Sequence, residues 1–460
     1  MKRRRARVES RGTNRRWHIP PPLIHGAEPL EGGAVLAENP GKTGLVLWQA
    51  LRDVLLWAET PTDERKALFA AGAARLRRET VARAVPEGVL ATALPALTDL
   101  LDDPADADGE AVADACASIA GWAEERGALG TALAFAQDAA LAAPNEAAPA
   151  FAVARLAVRL DDHARAEVWY RRSIGIARRA CDWRLYARSF SGLGSLYQSR
   201  GNLPGAQRFH LRALRGARRG GLRVERAVAL HDLFGLSVEA GRAREAQRYA
   251  QEAFAAYPAR SARIAVLAHD VAYFWMEQGL FQRALAVFQA VAPLIDRPAE
   301  RLWVQADLMR AAAGAGEAAL ARQLSREVRA ECRRPDLAAA AARAHLELAR
   351  GELQLNDLKA AEEAALAALQ LATERRDGRT ILMAESLLDA VRNARAAGRP
   401  DTLVSTTPAD HGGPAGESLA DEMIRTLQEL ASPVFSGGNA EREGGESNVI
   451  GPKRPSAHSL

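Results

Sequence analysis

The sequence predicts an all-α chain: a right-handed superhelical α-solenoid of about seven helix pairs, preceded by a small helical module and flanked by disordered ends. Three observations predict it. Hydrophobic residues make up 48% of the 460 residues but aromatics only 5%, and much of the apolar share is alanine, which favours helix and close packing. No long period-2 run of Val, Ile and Thr appears. A turn with apolar residues every three or four positions on both sides recurs along residues 109–376.

Taken in order, residues 1–40 are basic and then rich in Pro and Gly (IPPPLIHGAEPLEGG), which reads as a mostly disordered arm. Residues 41–108 read as a helical module. An amphipathic helix over 44–58 carries Trp48 and Trp57, and helices over 62–84 and 87–102 follow, closed by the acidic DDPADADGE. GKTG at Gly41–Gly44 lacks the glycine five residues upstream that a phosphate loop needs, and no βα unit surrounds it.

The repeat register rests on three columns. Turn residues fall at Gly127, Asp161, Gly201, Gly241, Gly279, Gly316 and Asn356, types that tolerate the left-handed backbone at a helix C-terminus. Five residues later stands alanine each time: Ala132, Ala166, Ala206, Ala246, Ala284, Ala321 and Ala361. Eight residues before each turn stands an aliphatic: Ile119, Val153, Leu193, Leu233, Val271, Leu308 and Leu348. Phe234 and Met309 break a neighbouring column of small residues and are expected to push helices apart. Residues 377–398 read as a capping helix. Residues 399–460 read as a disordered tail, with a short amphipathic helix at 417–431.

GLGSLYQSRGNLPGAQRFHLRAL, from Gly192 to Leu214, resembles a tetratricopeptide repeat. Phe190, Leu193, Gly194 and Tyr197 match the family's first-helix run, and Gly201, Ala206, Ala213 and Leu214 match its turn and second helix. The resemblance implies that the first helices line a concave groove that takes another protein or peptide.

In that frame His-Asp dyads recur, His231-Asp232 and His269-Asp270, and the next two repeats keep the acid alone as Asp307 and Glu347. Tyr273 lies near this column, whereas Arg155, Arg159 and Arg188 stand on earlier repeats. Three readings stand. The column is structural, capping helices and pairing with neighbouring repeats. It anchors a basic or amphipathic peptide in a groove basic at one end and acidic at the other. Or both dyads converge on a metal. The five tryptophans of the repeats read as interhelical packing. No Ser/His/Asp arrangement, nucleophile elbow or HExxH appears, so the chain reads as a non-enzymatic bacterial scaffold that needs no cofactor or metal.

Residues 1–16 carry eight basic residues against Glu9, a side-chain charge of +7. The arm reads as a solvated tail, as a contact to nucleic acid or anionic lipid, or as an internal ligand for the acidic end of the groove. The alternative function is a regulatory sensor touching nucleic acid through this arm, although no helix-turn-helix signature supports it. Net charge is only +4. Arginine greatly outnumbers lysine, as in a GC-rich bacterial genome. Cys116, Cys181 and Cys332 lie far apart with no CxxC pair, which fits a reducing cytoplasm. No signal peptide or membrane span is expected.

Overall fold

All seven turn residues of the register adopt left-handed backbone, the five glycines at φ 69° to 83° and Asp161 and Asn356 at 57° and 59°. They do so in a computed structural model that describes residues 32–397 and 414–432. At a representative turn the Arg242 amide donates to the Ser237 carbonyl (2.8 Å) and the Gly241 amide to Val238 (3.0 Å). This doubly bonded ending satisfies the last carbonyls of the helix. The residue after the turn often starts the next helix. Asp162, Asn202 and Asp357 accept from the amides of Arg165, Gly205 and Ala360 at about 3 Å.

The described residues divide into two compact units, with the boundary between Leu196 and Tyr197. The first holds α1 (Gly33–Glu38), α2 (Lys42–Glu59), α3 (Ala73–Ala84), α4 (Leu90–Asp99), α5 (Gly109–Glu125), α6 (Leu129–Ala142), α7 (Ala147–Arg159) and α8 (His163–Arg179), and α9 (Trp183–Ser199) runs through the boundary. The second holds α10 (Leu203–Arg219), α11 (Arg223–Glu239), α12 (Ala243–Ala256), α13 (Arg263–Glu277), α14 (Phe281–Val291), α15 (Pro298–Gly314), α16 (Ala318–Glu331), α17 (Ala338–Gln354), α18 (Leu358–Glu374), α19 (Gly378–Ala396) and α20 (Pro414–Ala431). Each turn of the register joins the first helix of a pair to the second, from α5 and α6 to α17 and α18. No strand occurs among the described residues, and no helix there is long and apolar enough to cross a membrane.

All seven alanines of the second column are completely buried, and the aliphatic column eight residues before each turn is buried with them. These are the positions where helices come closest, so a larger side chain there would force them apart. Met309 is accommodated differently from the sequence expectation. Gly351 on α17 lies against it, and a Cβ there would come within 2.4 Å of the Met309 sulfur. Phe234 meets Phe274 edge-on, with centroids 5.9 Å apart. Of the five repeat tryptophans Trp169 and Trp275 are fully buried, whereas Trp122, Trp183 and Trp303 are half-buried. The indole N–H of Trp275 donates to Gln247 and that of Trp303 to the Ala340 carbonyl, both at 3.1 Å.

The N-terminal stretch departs from the sequence expectation in two places. Residues 33–38, expected within the disordered arm, form α1. Val35 is buried, and the Glu38 carboxylate accepts the backbone amides of Gly130 (2.9 Å) and Thr131 (2.7 Å) at the start of α6. The helix expected over 62–84 begins only at Ala73. Gly72, at φ 83°, starts it. Before it, Arg65 turns back to donate to the Thr60 carbonyl (2.9 Å) and lies 4.1 Å over the Trp57 ring. Gly44 of the GKTG stretch is explained by packing, because a Cβ there would collide with the Asn39 carbonyl oxygen. The Trp57 indole donates to the Pro104 carbonyl at 2.7 Å, which ties α2 to the acidic stretch.

At the other end α19 packs on α17 and α18, where Leu346, Ala368 and Ala384 share one core. The amphipathic segment expected at 417–431 forms α20. It lies against α14 and the 3-10 turn Ala292–Leu294, with edges on α12 and α13. The basic arm over residues 1–31, and the tail over 398–413 and 433–460, lie outside the described residues.

Candidate functional site

The His-Asp column sits on the first helices of four successive pairs, α11, α13, α15 and α17. Each of its members reaches toward the neighbouring repeat. His231 Nε2 lies 3.0 Å from Asp270 Oδ2. His269 places Nδ1 3.2 Å from Asp270 Oδ1 and Nε2 2.9 Å from Asp307 Oδ2. Arg343 on α17 donates to the same Asp307 oxygen at 3.3 Å. Asp232 turns the other way, 3.4 Å from His210 Nδ1 on α10. The adjacent residues of a dyad therefore serve different neighbours, and the column is a ladder of charges running from repeat to repeat.

Both ring nitrogens of His269 face carboxylate oxygens, an arrangement that favours the protonated ring. Burial alone would favour the neutral ring. The hydrogen bonds to Asp270 and Asp307 outweigh it and raise the His269 pKa above its ordinary value. Burial likewise pushes the Asp270 carboxyl up, but His231 and His269 more than offset this and hold it at about 2. At His269 and Asp270 the attraction between the paired groups thus outweighs their desolvation.

One turn further along the same helices lies a second layer, Tyr273, Arg310 and Arg350, which converges on Glu347 of the column. Glu347 accepts from Arg310 (2.9 Å), Arg350 (2.7 Å) and the Tyr273 hydroxyl (3.2 Å). Arg310 also donates to Glu277 at 2.6 Å. Burial and the Glu347 charge hold the Tyr273 hydroxyl well above its ordinary pKa. Burial works against the Glu347 carboxylate, and the charges of Arg350, Arg310 and Arg343 bring its pKa below the ordinary value.

This geometry corrects the expectation of open acidic anchors for a basic peptide. Asp232, Asp307 and Glu347 are buried, and their carboxylates face histidine and arginine of adjacent repeats. His231, Asp270 and Tyr273 are only partly exposed, whereas Glu277 is the open member, with 41% of its side chain exposed. In the first unit Arg155 and Arg159 both bind Glu124, and Arg188 stacks 4.9 Å over the Phe151 ring. The convergence of both dyads on one metal is also not what forms. The imidazoles hydrogen-bond to carboxylates, and no cluster of three or more potential ligands occurs among the described residues.

Sequence reading named His231 and His269 but missed the other basic partners: His210, Arg310, Arg343 and Arg350. A signal for two of them was present. Asp307 and Glu347 are each followed three residues later by arginine, Arg310 and Arg350, which puts acid and base on one helix face.

Residues 146–219 match the family model for the tetratricopeptide repeat. No curated protein matches the chain. Among solved structures, BtubC (BKLC) from P. vanneervenii is similar at 17% identity over 49% of this chain and 91% of that one, with a TM-score of 0.38. A Rap protein in complex with competence and sporulation factor is similar at 11% identity over 77% and 98%, with a TM-score of 0.33. The TPR2AB domain of yeast Sti1 with an Hsp90 peptide is similar at 14% identity over 61% and 98%, with a TM-score of 0.24.

Proposed function

We propose that this chain, a tetratricopeptide repeat protein, works as a non-enzymatic scaffold that binds another protein on the surface of its first helices. The observation that carries the reading is the sevenfold register of turn, alanine and aliphatic columns. Within each unit such a register offers a surface of first helices suited to a peptide or helix. The buried ladder contributes indirectly. By pairing His231 with Asp270, His269 with Asp307 and Arg310 with Glu347, it sets the offset between successive repeats, so the surface above it is formed before a ligand arrives. Contact to the partner then falls to exposed charges on first helices: Glu277 beside the ladder in the second unit and, in the first unit, Arg159 on α7, both more than 40% exposed. The partner presents charge complementary to them. It is a protein of the same cytoplasm.

The test is affinity purification from source cells with wild type, Glu277→Lys and Arg159→Glu, once circular dichroism shows intact helices. A partner retained by wild type and lost from either variant supports the reading. Identical partners on all three baits, or none above the empty resin, would sink it.

A further inference from the structure

Helix α10 carries five arginines, Arg208, Arg212, Arg215, Arg218 and Arg219, and no acidic residue. The other second helices of the same unit differ. On α12 Arg244 and Arg248 stand with Glu245 and Glu252, on α16 Arg322, Arg326 and Arg329 stand with Glu327 and Glu331, and on α18 Lys359 stands with three glutamates. The single charge of α14, Arg283, lies over the Trp275 ring.

All five arginines of α10 are exposed. Four of them, Arg208, Arg212, Arg215 and Arg219, recur at i, i+4, i+7 and i+11, which sets them in one row along the outward face. The row is about 16 Å long at the rise of an α-helix. The opposite face, with Ala206, His210, Ala213, Leu214 and Ala217, is buried. Arg218 stands at the edge of the row and pairs with Glu252 at 3.7 Å. Arg208 and Arg215 make no hydrogen bond or ion pair with any described residue. Like charges three and four positions apart on a helix repel, so the row works against its own helix until an anion lies along it.

Both carboxylate and phosphate suit a guanidinium, and the setting favours carboxylates carried on a helix. Helix α10 lies with its inner face in the core, so it cannot enter a DNA groove, where a helix reads base edges. No aromatic ring stands in the row to stack a base, because Phe209 is turned onto Tyr197 with ring centroids 4.9 Å apart. A second helix laid alongside has the same rise per residue, so acids at i, i+4, i+7 and i+11 meet the arginines in register. Leu211, half-buried, borders the row and offers such a helix an apolar contact.

We propose that the outward face of α10 is a docking surface for an acidic helix of a partner protein, with carboxylates at the spacing of Arg208, Arg212, Arg215 and Arg219. This goes beyond the scaffold reading, because the surface lies on a second helix. It stands or fails through Arg208 and Arg215, whereas the scaffold reading stands or fails through Glu277 and Arg159.

The probe is a fluorescent, alanine-based helical peptide with glutamates at i, i+4, i+7 and i+11, titrated into the full chain at low salt. Two variants carry the same change in net charge: Arg208→Glu with Arg215→Glu on α10, and Arg322→Glu with Arg326→Glu on α16. Circular dichroism checks both folds, and Arg208→Gln with Arg215→Gln takes the place of the first pair if charge reversal unfolds α10. The α10 variant is expected to lose about tenfold in affinity, and the α16 variant to match wild type. A peptide of the same composition with its glutamates spread around the helix is expected to bind more weakly. Equal losses in the two variants, equal binding of the two peptides, no binding to wild type, or a short DNA duplex that depends on Arg208 and Arg215 as strongly as the peptide does would each overturn the proposal.

Discussion

His269 Nε2 lies 2.9 Å from Asp307 Oδ2, and solvent reaches neither side chain. A charged pair so placed must leave a mark on stability as pH changes. The raised His269 pKa means that its contribution is complete below the ordinary value of 6.5 and is lost as pH rises through the raised value. Asp270, held at about 2, contributes fully above its ordinary 3.8 and loses that contribution as pH falls toward 2. The contribution of these two groups is therefore expected to be highest between about pH 4 and 6.5 and to fall on the alkaline side. Melting followed by circular dichroism from acid to alkaline pH tests this. His269→Asn should flatten the alkaline limb, and a limb of unchanged slope would remove His269 as its cause.

Glu347 is the hub of the second layer, with Arg310, Arg350 and Tyr273 all donating to it. Glu347→Ala leaves a largely buried Arg310 without that partner and is expected to cost about 3–5 kcal/mol. Glu347→Gln keeps the shape and an acceptor oxygen and should cost less. Urea unfolding measures both. A loss below about 1 kcal/mol for the alanine variant would mean that the layer adds little to stability.

Glu38 closes the N-terminus of α6 from outside the repeats, accepting the Gly130 and Thr131 amides and the Thr131 hydroxyl. Glu38→Ala is expected to destabilise that contact by about 1–2 kcal/mol. Hydrogen exchange should quicken at residues 33–38 and at the Gly130 and Thr131 amides while the second unit is unchanged. Unaltered exchange at those two amides would show that the cap is not needed.

Asp138 is buried in α6, and burial, with the nearby Glu59 charge adding to it, holds its carboxyl well above the ordinary 3.8. The unfolded carboxyl ionises freely at neutral pH, so a folded state that resists ionisation loses stability as pH rises past about 4. Asp138→Asn removes that cost and should raise the melting temperature at pH 7 by a few degrees (~2–4 °C). The gain should vanish near pH 4. A drop at pH 7 would mean that the carboxylate has a use that the amide cannot serve.

Much of the architecture was legible because its determinants are local. A left-handed turn admits few residue types, and a close helix approach admits only small ones. The columns at Gly201 and Ala206 therefore mark every pair in the linear chain. The same logic misplaced the start of α3. Between Pro61 and Gly72 the apolar pattern suited a helix, and what decided otherwise was Arg65 folding back on Trp57.

The sequence alone determined that this is a chain of helix pairs, where each pair turns and which residues let the helices touch. Each of those properties depends on residues close together in the chain. Only the tertiary structure decided the fate of the His-Asp column. Whether Asp307 faces a ligand or His269 depends on how one repeat is offset against the next, some 38 residues away in sequence. It likewise decided where residues 414–431 go, because an amphipathic helix specifies that it needs an apolar surface but not which one. That surface is supplied by α14 and the turn Ala292–Leu294.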